Sequence, residues 1–128
     1  MPKEIYSLPI PSSWIGSPKF FARPKRLCEI VCENREVEKS EIKQVSLKFN
    51  NCWAVKFTYY VANDAELISL TYDKVVDFGA TDWLLKIKSN IAINKVQIEQ
   101  IRHFAIFFDD GPLYEFVCES FCSEEVIL

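Results

Sequence analysis

The clearest pattern of hydrophobic and polar positions lies in residues 102–120, RHFAIFFDDGPLYEFVCES. Two runs rich in Phe, Ile, Tyr and Val flank the sequence Asp109-Asp110-Gly111-Pro112. Asp-Gly and Gly-Pro are strong turn dipeptides, and β-branched or aromatic runs on both sides of a turn are typical of a β-hairpin. The pattern therefore predicts two antiparallel strands that meet at this turn.

The turn also predicts how the two strands pair. A four-residue turn fits best, because Pro112 lacks the N–H that a two-residue turn would use. This turn places Phe108 opposite Leu113, and successive side chains then point to opposite faces. One face has no formal charge and is expected in the core. It carries His103, Ala105, Phe107, Tyr114, Phe116 and Cys118.

The other face of this hairpin mixes charges with large apolar groups. Arg102 is expected opposite Glu119 as a cross-strand ion pair. Full burial would leave two glutamates with a single arginine as partner, and burying an unpaired charge costs free energy. Part of the face should therefore remain exposed to solvent. A half-wet face with several large apolar groups is typical of an interaction site. The candidate interaction residues are Phe104, Ile106, Phe108, Leu113, Glu115, Val117 and Glu119.

A second alternation, over residues 42–62, predicts another hairpin. A three-residue loop at residues 50–52 pairs Phe49 with Trp53 and puts two apolar rows on one face. Asn50 and Asn51 tolerate the left-handed conformation that such a loop needs. The two rows are Val45, Leu47 and Phe49, and Trp53, Val55, Phe57 and Tyr59.

The remaining segments give weaker patterns. Residues 27–33 are expected to form a strand, because the charges around a helix there would oppose its macrodipole. Residues 67–78 alternate and are rich in β-branched groups, which favours a strand although Asp64 is a possible helix cap. Thr81 is expected to cap a short helix over residues 82–89. Its buried stripe would be Trp83, Leu84 and Ile87.

These elements indicate an α+β fold with an antiparallel sheet of five or six strands and one short helix. Residues 27–128 are expected to form this single domain. Residues 1–26 hold five of the six prolines and are predicted to form an extended, basic arm that packs onto the domain or onto another chain.

Charge is unevenly spread along the 128 residues, whose net charge is −3. Residues 1–26 hold five basic residues and one acid, whereas the remainder holds ten bases and seventeen acids. An acidic body disfavours nucleic-acid binding, so the basic arm is expected to lie against it. The chain shows neither a membrane-length apolar run nor a signal-peptide pattern, which predicts a cytoplasmic protein without membrane contact.

Candidate chemical groups do not form a convincing site in the sequence. The cysteines at 28, 32, 118 and 122 form two C-x3-C pairs, but on a strand such a spacing spans about 13 Å, too far for one zinc ion. The five cysteines are therefore expected to be reduced, metal-free and mostly buried. His103 and Cys118 would face each other across the hairpin, but a rigid buried pair is an unusual catalyst.

Scattered carboxylates also lack the spacing of a calcium loop. Neither a catalytic residue, a metal nor a cofactor is expected. The sequence favours a non-enzymatic protein–protein interaction module, such as an inhibitor, an immunity-type protein or an adaptor, acting through a sheet face. Its partner would be another protein or a second copy in a homo-oligomer. The alternative is a small-ligand-binding protein or enzyme with a pocket between sheet and helix.

Overall fold

The computed structural model describes residues 2–59, 64–93, 100–109 and 111–127. Asp110 of the predicted turn and residues 60–62 of the predicted second hairpin lie outside these ranges. The described strands and helices are β1 (Lys3–Ser7), β2 (Lys19–Arg23), β3 (Leu27–Glu33), β4 (Ile42–Asn50), β5 (Ala54–Thr58), α1 (Ala65–Thr71), β6 (Lys74–Asp77), α2 (Asp82–Ile93), β7 (Arg102–Phe107), β8 (Leu113–Cys118) and β9 (Ser120–Ile127).

The strands form two antiparallel sheets that pack face to face. One sheet has the order β1-β6-β7-β8-β5 and the other has the order β2-β3-β4-β9. The α+β class with antiparallel pairing is confirmed. The expectation of one sheet of five or six strands with a single helix is wrong, because the described residues hold nine strands in two sheets and two α-helices.

The main core lies between the two sheets. The Phe49 ring of β4 stacks on the Phe116 ring of β8, with centroids 3.8 Å apart, and both side chains are fully buried. Each such side chain contributes about 1.5–3 kcal/mol through burial. A smaller cluster joins α2 to the outer face of the five-stranded sheet. It consists of Leu84, Ile91, Ile101 and Val117.

The β7–β8 hairpin exists, but its register differs by one residue from the prediction. Phe107 pairs with Leu113 and His103 pairs with Val117. The Phe108 side chain turns into the main core instead of pairing with Leu113, so residues 108–112 connect the strands. A shift of one residue exchanges the two faces of one strand relative to the other. The observed register therefore gathers the large rings of both strands between the sheets.

The predicted hairpin over residues 42–62 is wrong. β4 lies between β3 and β9 in one sheet, whereas β5 pairs with β8 in the other, so Phe49 and Trp53 are not cross-strand neighbours. Between them the chain crosses from sheet to sheet at Asn51, which has a φ of 53°. The predicted row Val45, Leu47 and Phe49 is buried as expected, but it packs against the face of the five-stranded sheet instead of lying beside β5 in one sheet.

Residues 67–78 contain a helix and a strand instead of one strand. Asp64 caps α1, and its carboxylate accepts a hydrogen bond of 3.0 Å from the Leu67 N–H. The strand prediction is therefore wrong for the first part of the segment and correct for β6. An N-cap stabilises a helix by about 1 kcal/mol, because its side chain accepts a hydrogen bond from a backbone N–H that has no partner within the helix. The alternation of a few residues provides no such stabilisation for a strand.

Two other predicted elements are confirmed. Residues 27–33 form β3, and Thr81 caps α2 by accepting a 3.2 Å hydrogen bond from the Leu84 N–H, although α2 extends to Ile93 and does not end at residue 89. Residues 1–26 contribute β1 and β2, which are edge strands of different sheets, and Leu8 and Ile10 enter the main core. The division into an arm and a domain stays a prediction.

Candidate functional site

The structure separates the seven residues predicted to form an interaction face. Phe104, Ile106 and Phe108 point into the main core, whereas β8 turns Leu113, Glu115 and Val117 to the opposite face of the sheet. These six are buried. Glu119 follows β8 and accepts a hydrogen bond from the Asn51 side chain instead of pairing with Arg102. Their predicted role in binding stays a prediction, but the premise of one shared face is wrong.

His103 belongs to a buried polar array on the outer face of the five-stranded sheet. Its Nδ1 lies 2.7 Å from the Thr81 hydroxyl, and its Nε2 lies 3.0 Å from Glu115 Oε1. The His103 and Glu115 side chains are only 6% and 12% exposed. Trp83 of α2 covers the imidazole edge-on at 5.0 Å. Sequence reasoning placed His103 opposite Cys118, but the observed pairing turns them to opposite faces.

Glu115 is the charged centre of this array. Burial raises its pKa, but the hydrogen bond with His103 and the charge of Lys56 outweigh burial and hold the pKa below its usual value. Lys56 Nζ lies 3.6 Å from Glu115 Oε2 and 4.4 Å above the Trp83 ring. The ionised carboxylate favours the tautomer in which Nε2 donates and Nδ1 accepts from Thr81.

The array polarises the Thr81 hydroxyl, as a hydroxyl–imidazole–carboxylate chain does in a nucleophilic enzyme. The same oxygen, however, accepts the capping hydrogen bond from Leu84. Each group of the array therefore has a structural partner. We assign the polar array a structural role, because its hydrogen bonds and ion pair connect α2, β7, β8 and β5.

Four of the five cysteines are buried and only Cys122 is exposed. Burial and the nearby Asp73 raise the pKa of Cys32 to about 12. The hydrogen bond with Cys28, together with burial, also raises the pKa of Cys52. Within the described ranges, no group of three or more His, Cys, Asp or Glu side chains is arranged to hold a metal ion.

An accessible apolar feature lies at β5, one of the two edge strands of the five-stranded sheet. β5 pairs with β8 on one side, and no strand of the described residues lies on its other side. The Phe57 ring is 47% exposed, although it contacts Phe20 of β2 at 5.2 Å and Tyr114 at 5.1 Å. We call β5 with Trp53 and the turn Pro24–Arg26 the β5 edge.

The turn Pro24–Arg26 lies at the Trp53 end of β5. The Arg26 carbonyl accepts a 2.8 Å hydrogen bond from the Cys52 N–H, and the Arg26 guanidinium lies 3.9 Å above the Trp53 ring. Lys25 and Arg26 have φ angles of 64° and 58°. Successive non-glycine residues in this left-handed region are strained. The turn is thus fixed in place with two exposed basic side chains.

Lys25, Arg26 and Lys56 belong to the β5 edge, whereas Lys19 and Arg23 of β2 lie on the outer face of the four-stranded sheet. Lys19 pairs with Glu33 at 3.6 Å, Arg23 pairs with Glu29, and Lys56 pairs with Glu115. No carboxylate of the described residues lies within salt-bridge distance of Lys25 or Arg26. The expectation that the basic lead-in lies against acids thus holds for Lys19 and Arg23 only.

Few features of the sequence point to this site. Alternation assigned Phe57 to a buried row, since nothing in the residues of β5 tells an edge strand from a central one. The usable signal was the basic pair Lys25-Arg26 after a proline, in positions where a turn normally favours Asn or Gly.

Two cavities accompany these features. A cavity of about 290 Å³ is lined by polar groups that include Ser12, Ser13, Ser17 and Asp109. Another, of about 280 Å³, lies between the sheet and α2 and is lined by Trp53, Ile87, Asn90 and Ile91. The Trp53 indole N–H is buried and has no hydrogen-bond partner among the described residues.

No protein-family model, curated protein or solved structure matches this chain. None of the helices in the described ranges is long and apolar enough to cross a membrane.

Proposed function

We propose that the chain is a non-enzymatic protein–protein interaction module of the inhibitor, immunity-type or adaptor kind, acting in the cytoplasm. It binds its partner through the β5 edge instead of the β7–β8 face. The observation that carries this proposal is the free side of β5 next to the half-exposed Phe57 ring.

An edge strand presents unpaired N–H and C=O groups that another strand can bind. Strand addition takes its affinity from these main-chain hydrogen bonds and its specificity from alternate side chains. Phe57 supplies an aromatic contact on the β2 side, where Phe20 and Tyr114 hold its ring. Lys56 supplies a charge on the α2 side. Both kinds of contact are therefore present within one short strand.

The polar array makes the edge rigid. Lys56 is bound to Glu115, which is bound to His103, which in turn contacts the cap of α2. A prearranged edge loses less conformational entropy when it binds than a mobile one. The array therefore supports binding without taking part in chemistry.

A matched pair of variants tests this proposal. Phe57→Glu places a charge on the β5 edge, and Leu85→Glu does the same at a 52% exposed position of α2. Tagged forms are used to capture proteins from an extract of the native host, followed by quantitative mass spectrometry. We expect at least one protein that the wild type and Leu85→Glu retain and Phe57→Glu loses. Identical captures by all three forms would contradict the proposal.

The second candidate function is small-ligand binding in the cavity between the sheet and α2. The unpartnered Trp53 indole N–H favours it, because a buried donor without an acceptor is costly and a ligand acceptor would satisfy it. A mixture of small aromatic carboxylic acids is titrated while the indole N–H signals are followed by NMR. A saturable shift of the Trp53 signal supports this function, and no shift argues against it.

A further inference from the structure

We infer that the partner segment at the β5 edge is an acidic, extended segment of another protein whose acidic and apolar side chains alternate. This inference rests on the proposed function, because it describes the occupant of the same edge. It is carried by the charge of the β5 edge and by the two different surfaces on either side of β5.

The charge of the β5 edge is opposite to that of the chain. The net charge of the protein is −3, yet the basic residues Lys25, Arg26 and Lys56 lie at this edge. Lys25 and Arg26 are exposed and have no carboxylate partner among the described residues. A surface of this kind attracts negative groups and repels basic segments. Acidic residues near the Trp53 end of β5 would meet Lys25 and Arg26.

The two faces of β5 predict the alternation. Lys56 points to the α2 side, where it lies above Trp83, whereas Phe57 points to the β2 side and contacts Phe20. A paired strand also turns successive side chains to these two sides. An acidic side chain therefore fits next to Lys56, and an apolar side chain fits next to Phe57.

Backbone strain supports a role for the two basic side chains. Asn and Gly adopt positive φ at little cost, whereas Lys25 and Arg26 adopt it at a cost in stability. Arg26 contacts Trp53, but Lys25 has no such contact with the described residues. Asn or Gly at these two positions would therefore give a more stable fold.

A second copy of the chain fits this edge less well. Pairing β5 with β5 of another copy would bring two basic sides together. The chain also has an acidic edge strand, β9, but Lys48 already binds Glu124 and the Tyr6 hydroxyl binds Glu125. Pairing β9 of one copy with β5 of the next would be a head-to-tail contact, which builds a ring or an open filament instead of a two-fold dimer.

The direct test uses two labelled nine-residue peptides, one alternating Glu and Val and the other alternating Lys and Val. Fluorescence anisotropy measures their binding to the full chain. We expect the Glu–Val peptide to bind about tenfold more tightly or better. Its affinity should fall about threefold between roughly 50 and 200 mM salt. Equal binding of both peptides, or no binding up to about 1 mM, overturns the inference.

The double variant Lys25→Asn, Arg26→Gly tests the basic turn, with Lys86→Asn on α2 as its control. We expect an unchanged or higher Tm, since the strain is relieved, and a loss of Glu–Val affinity of about fivefold or more. The control should bind like the wild type. If the double variant is less stable, Lys25→Gln, which keeps the backbone strain, decides through the same loss of affinity. Unchanged affinity in a folded variant overturns the inference.

The outcomes separate this inference from the proposed function. If the Lys–Val peptide binds as well as the Glu–Val peptide and Phe57→Glu abolishes both, the β5 edge binds strands but the acidic partner is wrong. Tighter binding of single-stranded oligothymidine at equal salt would also overturn the inference that the partner is an acidic protein segment.

If sedimentation shows a self-association that Glu125→Lys abolishes, the occupant is a second copy of the chain and the inference is overturned. If neither peptide responds to Phe57→Glu, the proposed function itself fails.

Discussion

The two lateral sides of the sandwich differ in charge and closure. At the β1/β9 side, the Tyr6 ring contacts Phe121 at 5.5 Å and the Tyr6 hydroxyl donates to Glu125 at 3.3 Å. At the β2/β5 side, Phe20 contacts Phe57 in a similar way, but Phe57 remains half-exposed among basic residues. The comparison shows that rings close both gaps between the sheets, whereas, among the residues that the structure describes, only the β2/β5 side presents a half-exposed ring beside a free strand.

The largest expected effect comes from the core that both sides share. Phe116→Ala removes a fully buried ring that stacks on Phe49 and should lower the free energy of unfolding by about 3–5 kcal/mol. Phe57→Ala, in the open side, should lower it by about 1 kcal/mol or less, since half of that ring is already in water. Urea denaturation of both variants checks the difference. Similar losses would mean that Phe57 belongs to the core.

Glu115→Gln tests the polar array that links β5 to β8, β7 and α2. At neutral pH it should lower the free energy of unfolding by about 1–2 kcal/mol, because Gln weakens the hydrogen bond and ion pair of the carboxylate.

The same variant should change the pH dependence of stability. The pKa of Glu115 is lowered in the folded state, so its contribution is present above the unfolded value of about 4.5 and is lost as pH falls through the folded value. Denaturation curves below pH 5 should therefore converge for the wild type and the variant. Curves that stay parallel down to about pH 2 would contradict the assignment.

A smaller effect is expected at the closed side. Tyr6→Phe keeps the ring against Phe121 and removes the exposed hydrogen bond to Glu125, so the free energy of unfolding should fall by about 0.5 kcal/mol or less. Thermal denaturation measures the change. A loss of 2 kcal/mol or more, far above the ordinary surface effect of about 0.5 kcal/mol, would show that the hydroxyl closes this side.

Labelling of Cys122 should have the least effect. It is the exposed thiol of the five and lies on β9, away from the β5 edge. A thiol reagent should modify one cysteine in the folded protein and all five after unfolding. The labelled protein should bind the Glu–Val peptide like the unlabelled one. Lost binding would place the partner at the β1/β9 side instead.

The sequence could predict which side chains are buried more readily than which strands pair. The row Val45, Leu47 and Phe49 was identified correctly, because alternation marks a buried face. Alternation does not say whether the next strand lies beside that row or across from it. The pairing of β5 was therefore missed, and with it the free edge.

Helix caps and loop length explain other agreements and differences between the predicted and the observed elements. Thr81 caps α2 as predicted, whereas the alternation over residues 67–78 predicts a strand where Asp64 caps α1. The β7–β8 register depended on one residue of loop length, which Pro112 and Gly111 did not fix. With the observed register, the Phe108 side chain lies in the core and the Glu115 side chain lies beneath α2.

Hydrogen exchange of the backbone, with and without the Glu–Val peptide, shows whether the β5 edge binds a partner strand. In the free protein the amides of β5 should exchange faster than those of β8, which is paired on both sides. On saturation with the peptide, protection should rise in β5 and stay unchanged in β1 and β9. Protection that rises in β9, or in no strand at all, would contradict the claim that the β5 edge binds a partner strand.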